Sequence, residues 1–197
     1  MELLQEIDLK IFGFINGLSG NIKIVDEISL LFANDYFVPV SIGLVLLFHW
    51  IGFANSKLKE CSQRRVIKSI VVMVIANAII LLLNQIIFRE RPFIENEVNL
   101  LFYMPTDSSF PSNACAGSVS LALGFFDKKW IKTFLLLFVL AILMSTSRIY
   151  VGIHYPTDIL AGIFISVISY FIGNYISNHT LAIQRKGLKI LENINIA

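Results

Sequence analysis

A guanidinium, an imidazole and a carboxylate fall within the twelve residues Ser147-Arg148-Ile149-Tyr150-Val151-Gly152-Ile153-His154-Tyr155-Pro156-Thr157-Asp158, between two long apolar runs. Ionisable groups at a membrane boundary are costly to hold, which makes them candidates for function. His154 and Asp158 are four residues apart, one helical turn, so the carboxylate can hold the second imidazole nitrogen and fix its tautomer. Arg148 can clamp an anionic group in front of that ring, because its fork matches phosphate oxygens. The plainer alternative is a helix-connecting loop with a snorkelling arginine and an incidental histidine.

Two other stretches carry related chemistry. Phe88-Arg89-Glu90-Arg91-Pro92-Phe93 closes the second apolar run, and an arginine before proline is biased out of the helix, where it can reach into a pocket. Phosphate binding is expected of Arg91, whereas Arg89 and Glu90 are expected to face lipid headgroups or each other. Asn77, Asn84 and Arg91 recur at intervals of seven, as residues stacked along one helix face do. Ser108-Ser109-Phe110-Pro111-Ser112-Asn113-Ala114 leads into the third run. Pro111 and Ser112 are good helix starters, and the free amides of that turn, Asn113 included, form an anion cradle with the Ser112 hydroxyl.

The elements that position these residues are membrane helices. Of 197 residues 56% are hydrophobic and only 15% charged, with a mean hydropathy of +0.73, whereas a soluble domain carries roughly a quarter charged residues. This predicts a single-domain, all-α integral membrane protein over 1–197. Its five apolar runs, about 36–53, 67–88, 114–126, 130–146 and 159–176, imply a bundle of 5–6 transmembrane helices within 36–176. Residues 1–17 alternate Leu3, Leu4, Ile7, Ile11, Phe14 and Ile15 with Glu2, Glu6 and Lys10, the pattern of an interfacial amphipathic helix. Residues 22–33 form a second amphipathic stretch that can merge into the first span. The third run has about 13 residues, ~20 Å of helix, so it works only if its start is sunk below the membrane surface, which makes a pocket.

Basic residues set the orientation. Lys57, Lys59, Arg64, Arg65 and Lys68, then Lys128, Lys129 and Lys132, then Arg185, Lys186 and Lys189 alternate onto one side, cytoplasmic by the positive-inside rule, with 177–197 as a cytoplasmic tail. The acidic N-terminus, loop 89–113 and loop 147–158 share the other side. That N-terminus lacks the basic region of a cleavable signal. Cys61 and Cys115 are expected on opposite sides and unpaired. Small residues at Ala116, Ser120 and Gly124, and at Gly162, Ser166, Ser169 and Gly173, predict two close-packing seams. A net charge of +2 gives no reason to expect a nucleic-acid partner, and charges confined to boundary loops disfavour a channel.

Together the three stretches resemble the type 2 phosphatidic acid phosphatase superfamily. Arg91-Pro92 matches the end of its first motif, Pro111-Ser112 the start of its second, and Ser147 to Asp158 all of its third, over about residues 65–175. The Arg-Pro-Phe, Ser-Phe-Pro-Ser and His-Tyr-Pro-x-Asp sequences look most like the bacitracin-resistance branch of undecaprenyl-diphosphate phosphatases. The resemblance implies metal-independent hydrolysis without a cofactor, on the extracytoplasmic face of a bacterial plasma membrane. His154 is the implied nucleophile, Asp158 its orienter, and Arg91, Arg148, Ser112 and Asn113 the phosphate-binding groups. Undecaprenyl diphosphate or a similar lipid phosphate is the implied substrate, with phosphate released and membrane lipids as surroundings. Two departures stand out. Asn84 replaces the first-motif lysine, leaving an amide that donates to phosphate without charge. Ala114 replaces the second-motif histidine, which in the family protonates the departing oxygen. Either this chain is an inactivated form of an enzyme with histidine there, or it is a phosphate-binding pseudoenzyme. Slow turnover of a diphosphate and almost none of a monophosphate ester is expected. Alternative substrates within the superfamily are phosphatidylglycerophosphate, phosphatidate and lipid A.

Overall fold

A computed structural model describes residues 2–193, and among them the regular structure is helical. The helices are α1 (Glu2–Asn16), α2 (Lys23–Ala33), α3 (Phe37–Ile51), α4 (Ser56–Leu83), α5 (Pro92–Glu95), α6 (Asn113–Leu123), α7 (Ile131–Tyr150), α8 (Pro156–His179) and α9 (Leu181–Asn193). Helices α4 and α8 and the stretch Lys128–Tyr150, which includes α7, are long and apolar enough to cross a membrane. Helices α2 and α3 meet the same test only as a pair, bent by 56° at a short break. This bent pair is a broken span or a re-entrant loop, so three or four spans qualify by length and hydropathy, with the shorter apolar α6 packed among them.

The bundle is organised around α6, which packs against α4, α7 and α8. The small residues predicted to form seams do so. A methyl group at Gly162 would come within 3.0 Å of Ser112 O and 3.1 Å of Cys115 Cβ, so glycine brings the start of α8 directly onto the first turn of α6. Ser166 Oγ extends the seam by donating to Ala116 O at 2.9 Å. A side chain at Gly124 would likewise run into Ser69 of α4. This contact is what places His154 and Asp158 beside Ser112.

The apolar stripe of α1, Leu3, Ile7, Ile11 and Phe14, faces outward, as an interfacial helix requires. Its inner face carries Asp8, Phe12 and Asn16, all buried. Asn16 staples the helix down: its amide donates to Asn99 O and Tyr150 O at 2.9 Å each, while its Oδ1 accepts from Asn99 N. At the opposite, basic end, His49 bridges Ser62 of α4 and Thr133 of α7 at 2.8 and 3.0 Å, and Arg65 pairs with Asp127. The predicted tail is in large part helix α9, packed against α4 and α8; residues 194–197 lie outside the described residues.

Candidate active site

Helix α7 runs through Ser147 to Tyr150, residues expected in a loop, so Arg148 projects from a rigid last turn. Residues 151–155 then turn the chain, with Gly152 at φ +89°, where a Cβ would be strained and would meet Asn16. Pro156 opens α8. His154 thus precedes the helix, and the expectation that it and Asp158 lie one turn apart on a helix is corrected. Their meeting has another cause: Asp158 is the third residue of α8 and its carboxylate caps the Tyr155 amide at 2.8 Å, which brings Oδ2 to 3.4 Å from His154 Nδ1.

Asp158 is wholly buried, and both of its carboxylate oxygens have donors. Besides Tyr155 N and His154, it accepts from Ser109 Oγ at 2.5 Å and from the Arg89 guanidinium at 2.7 Å. Arg89 is the principal correction to the sequence reading. It does not pair with Glu90, which is exposed, but reaches inward to bridge Asp158 and Asp8, donates to Thr157 Oγ1, and stacks over the Tyr155 ring at 3.9 Å. Asp8 in turn accepts from Thr157 N and Oγ1 at 2.9 and 2.6 Å, so α1 is tied to the start of α8. Burial pushes the His154 imidazole below its ordinary value, against the upward pull of Asp158 and with help from Arg91 and Arg148. The ring is therefore neutral near pH 7, with a lone pair free for chemistry.

Ser112 caps α6, accepting from Cys115 N, and its Oγ lies 3.5 Å from His154 Nε2. Arg91 adopts the extended backbone that a residue before proline favours, but as the cap of α5, eight residues after α4 ends, so it does not share a helix face with Asn77 and Asn84. It is 4% exposed and donates to Ile153 O, next to His154, and to both the carbonyl and the carboxylate of Asp107. Arg148 pairs with Asp35, which sits at the α2–α3 break and also accepts from Tyr103 Oη at 2.7 Å.

These two arginines line a cavity of about 400 Å³. Asp35, Asp107, Tyr103, Asn77 and Asn113 share its polar wall, and Ile42, Met73, Ala114, Leu121 and Met144 its apolar one. His154 and Ser112 adjoin it through Ile153 and Asn113 but are not part of its wall. Asn84 is not part of it either: it closes the C-terminus of α4, and its Oδ1 is buried without a hydrogen-bond partner. Among the described residues no group of three His, Cys, Asp or Glu side chains is arranged to hold a metal.

The arrangement is a carboxylate-backed imidazole beside two arginines, a serine hydroxyl and a helix start, next to a cavity whose lining is mostly apolar. Such a site can hold a phosphate and attack it. A family model described as the PAP2 superfamily matches residues 65–180. The undecaprenyl-diphosphatase BcrC of Bacillus subtilis is 31% identical over 170 residues, covering 84% of this chain and 82% of that protein. A lipid A 4'-phosphatase of Bacteroides thetaiotaomicron is 28% identical over 180 residues, covering 82% and 73%. The crystal structure of Aquifex aeolicus LpxE superimposes with a TM-score of 0.67 at 24% identity, covering 86% of this chain and 95% of that one, a likeness of fold.

Proposed function

Because the chain belongs to the PAP2 superfamily of membrane phosphatases, we propose that its site takes the terminal phosphate of a polyprenyl diphosphate, undecaprenyl diphosphate, and passes it through His154 to water. The observation that carries this reading is that two separate segments, 88–93 and 147–158, bring Arg91 and Arg148 to one cavity with an apolar wall, with His154 buried close enough to feel both cations. Arg91 and Arg148 stabilise charge on the transferring phosphoryl group, aided by the Ser112 hydroxyl and the Asn113 end of α6. Asn84, at the end of α4 and off the cavity wall, takes no part in holding this phosphate. The Nε2 lone pair of His154 attacks phosphorus as the bond to the bridging oxygen breaks; Asp158 stabilises the imidazolium, and water then hydrolyses the phosphohistidine. Ala114 contributes no acid to the first step and no base to the second, so turnover is slow. The positive-inside pattern supports a plasma-membrane protein with this site on the extracytoplasmic side, where product release would recycle a cell-wall lipid carrier and confer bacitracin resistance.

The test is phosphate release from a panel of undecaprenyl diphosphate, phosphatidylglycerophosphate, phosphatidate and lipid A, by the chain and by its Ala114→His variant, with and without chelator. Highest kcat/KM on the polyprenyl diphosphate, insensitive to chelator, is expected. Preference for lipid A would favour the second reading, that of the Bacteroides relative.

In the free protein both phosphate-binding arginines are already occupied by carboxylates, Arg91 by Asp107 and Arg148 by Asp35. An incoming phosphate has to displace them. Asp35→Asn removes one competitor, and since Asp35 is partly exposed its effect is discounted to ~1 kcal/mol. Inorganic phosphate or orthovanadate should then bind about fivefold more tightly by calorimetry. Weaker binding would show that Asp35 positions Arg148 instead of competing for it.

A further inference from the structure

A second polar cavity, about 250 Å³, lies at the basic end of the bundle, between the first half of α4, the last turns of α8 and the turn after α6. Its walls carry three cations, Arg64, Arg65 and Lys68, against one carboxylate, Asp127. Arg65 takes that carboxylate at 2.5 Å. Lys68 is 5% exposed, yet its direct partners are neutral: its ammonium donates to Asn174 Oδ1 at 2.7 Å and lies 4.4 Å from the Tyr170 ring centroid. Two further donors are unfilled. Arg64 Nε and Ser177 Oγ are buried without any hydrogen-bond partner, and Ser177 as a whole is 7% exposed.

Buried polar groups are satisfied in folded proteins, and a buried cation is held beside an anion. Here three cations face one carboxylate, and two residues that line the same small cavity, Arg64 and Ser177, each keep a buried donor without a partner. A phosphodiester oxyanion offsets one of the two excess charges and accepts from several donors at once. We infer that this cavity binds the phosphate of an anionic phospholipid headgroup, with Arg64, Lys68 and Ser177 as its donors. The lipid source follows from location: the cavity is at one end of two spanning helices, where headgroups lie, and the exposed Lys128 and Lys129 that follow its wall residue Asp127 draw anionic lipid to that surface. Those exposed lysines attract any anionic membrane. What distinguishes the cavity is the set of buried donors without an acceptor.

The inference is independent of the chemistry at the other end of the bundle, and its test uses binding alone. Full-length protein stripped of lipid in non-ionic detergent is titrated with short-chain phosphatidylglycerol, phosphatidylcholine or inorganic phosphate, and bound species are counted by native mass spectrometry. One phosphatidylglycerol per chain is expected at saturation, with phosphatidylcholine much weaker. Arg64→Gln should weaken it about tenfold, as loss of a charged hydrogen bond does; Arg64→Lys should recover part of that, and Ser177→Ala should weaken it several-fold. Lys57→Gln, which removes an exposed charge outside this cavity, should leave binding unchanged. Equal binding of the two lipids, or equal loss in Lys57→Gln and Arg64→Gln, would overturn the site. Displacement of the lipid by millimolar inorganic phosphate would overturn the headgroup as its ligand in favour of free phosphate.

Discussion

Replacing Ala114 by histidine should raise phosphate release from undecaprenyl diphosphate by about 10²–10⁴-fold, the usual contribution of a positioned general acid. Ala114 stands on the first turn of α6, one residue after the Asn113 end of the phosphate cradle, and it lines the same cavity as Arg91 and Arg148. A helical side chain there leans back toward the start of its helix, so an imidazole has both the room and the direction to reach a departing oxygen. The gain depends on the leaving group. A diphosphate releases a phosphate monoester, which departs without much protonation, whereas a lipid monophosphate releases an alkoxide, which does not. The Ala114→His variant should therefore gain more on a monophosphate ester than on the diphosphate, although from a lower starting rate. Initial rates on both substrates measure this. An unchanged rate on both would remove the histidine account of Ala114 and leave the pseudoenzyme reading standing.

Replacing Arg89 by glutamine is expected to be the most destabilising single change at the site. The guanidinium is shared by two buried carboxylates, Asp8 and Asp158, and its removal leaves both without a cation. Breaking a buried pair on one side costs about 3–5 kcal/mol, and because Arg89 keeps a quarter of its surface in solvent the lower figure, about 3 kcal/mol, applies. Thermal unfolding in detergent should show a clear fall in Tm. Asp8→Asn added to Arg89→Gln should recover part of the loss, since one carboxylate then no longer needs a partner. A double mutant as unstable as Arg89→Gln alone would show that stacking on Tyr155, not charge, is what Arg89 supplies.

Much of the candidate site is legible in the sequence because motif spacing survives folding. Order and spacing single out His154, Asp158, Arg91, Arg148 and Ser112, and the fold brings His154 against Asp158 and Ser112 and both arginines to one cavity. The His154–Asp158 contact arises from a helix cap, not from the helical repeat that a spacing of four suggests. The supporting groups were not legible. Arg89 sits beside Arg91 and differs from it only in which way a short irregular segment turns after α4 ends at Leu83. Asp8 lies on the polar side of an amphipathic helix, where an acid ordinarily means solvent; here that side faces the protein and the apolar side faces out. Asp35 could have been suspected only from its place at a break between two apolar stretches on the acidic end of the chain. Ser109 carried no signal beyond its neighbours. Composition locates the apolar helices but not the 56° bend between α2 and α3, at whose break Asp35 pairs with Arg148.

The central claim is that His154 becomes phosphorylated, and direct detection of that bond tests it. Without an acid and base at position 114, attack on a diphosphate is slowed less than hydrolysis of the phosphoenzyme, so the intermediate should build up in this chain. The protein is mixed with undecaprenyl diphosphate labelled in its terminal phosphate, quenched in alkali, where phosphohistidine survives, and digested for mass spectrometry. The expected result is label on His154, approaching one per chain, lost in acid and absent from His154→Ala. Label on another residue, or phosphate release by Ala114→His that persists when His154 is replaced, would contradict the account.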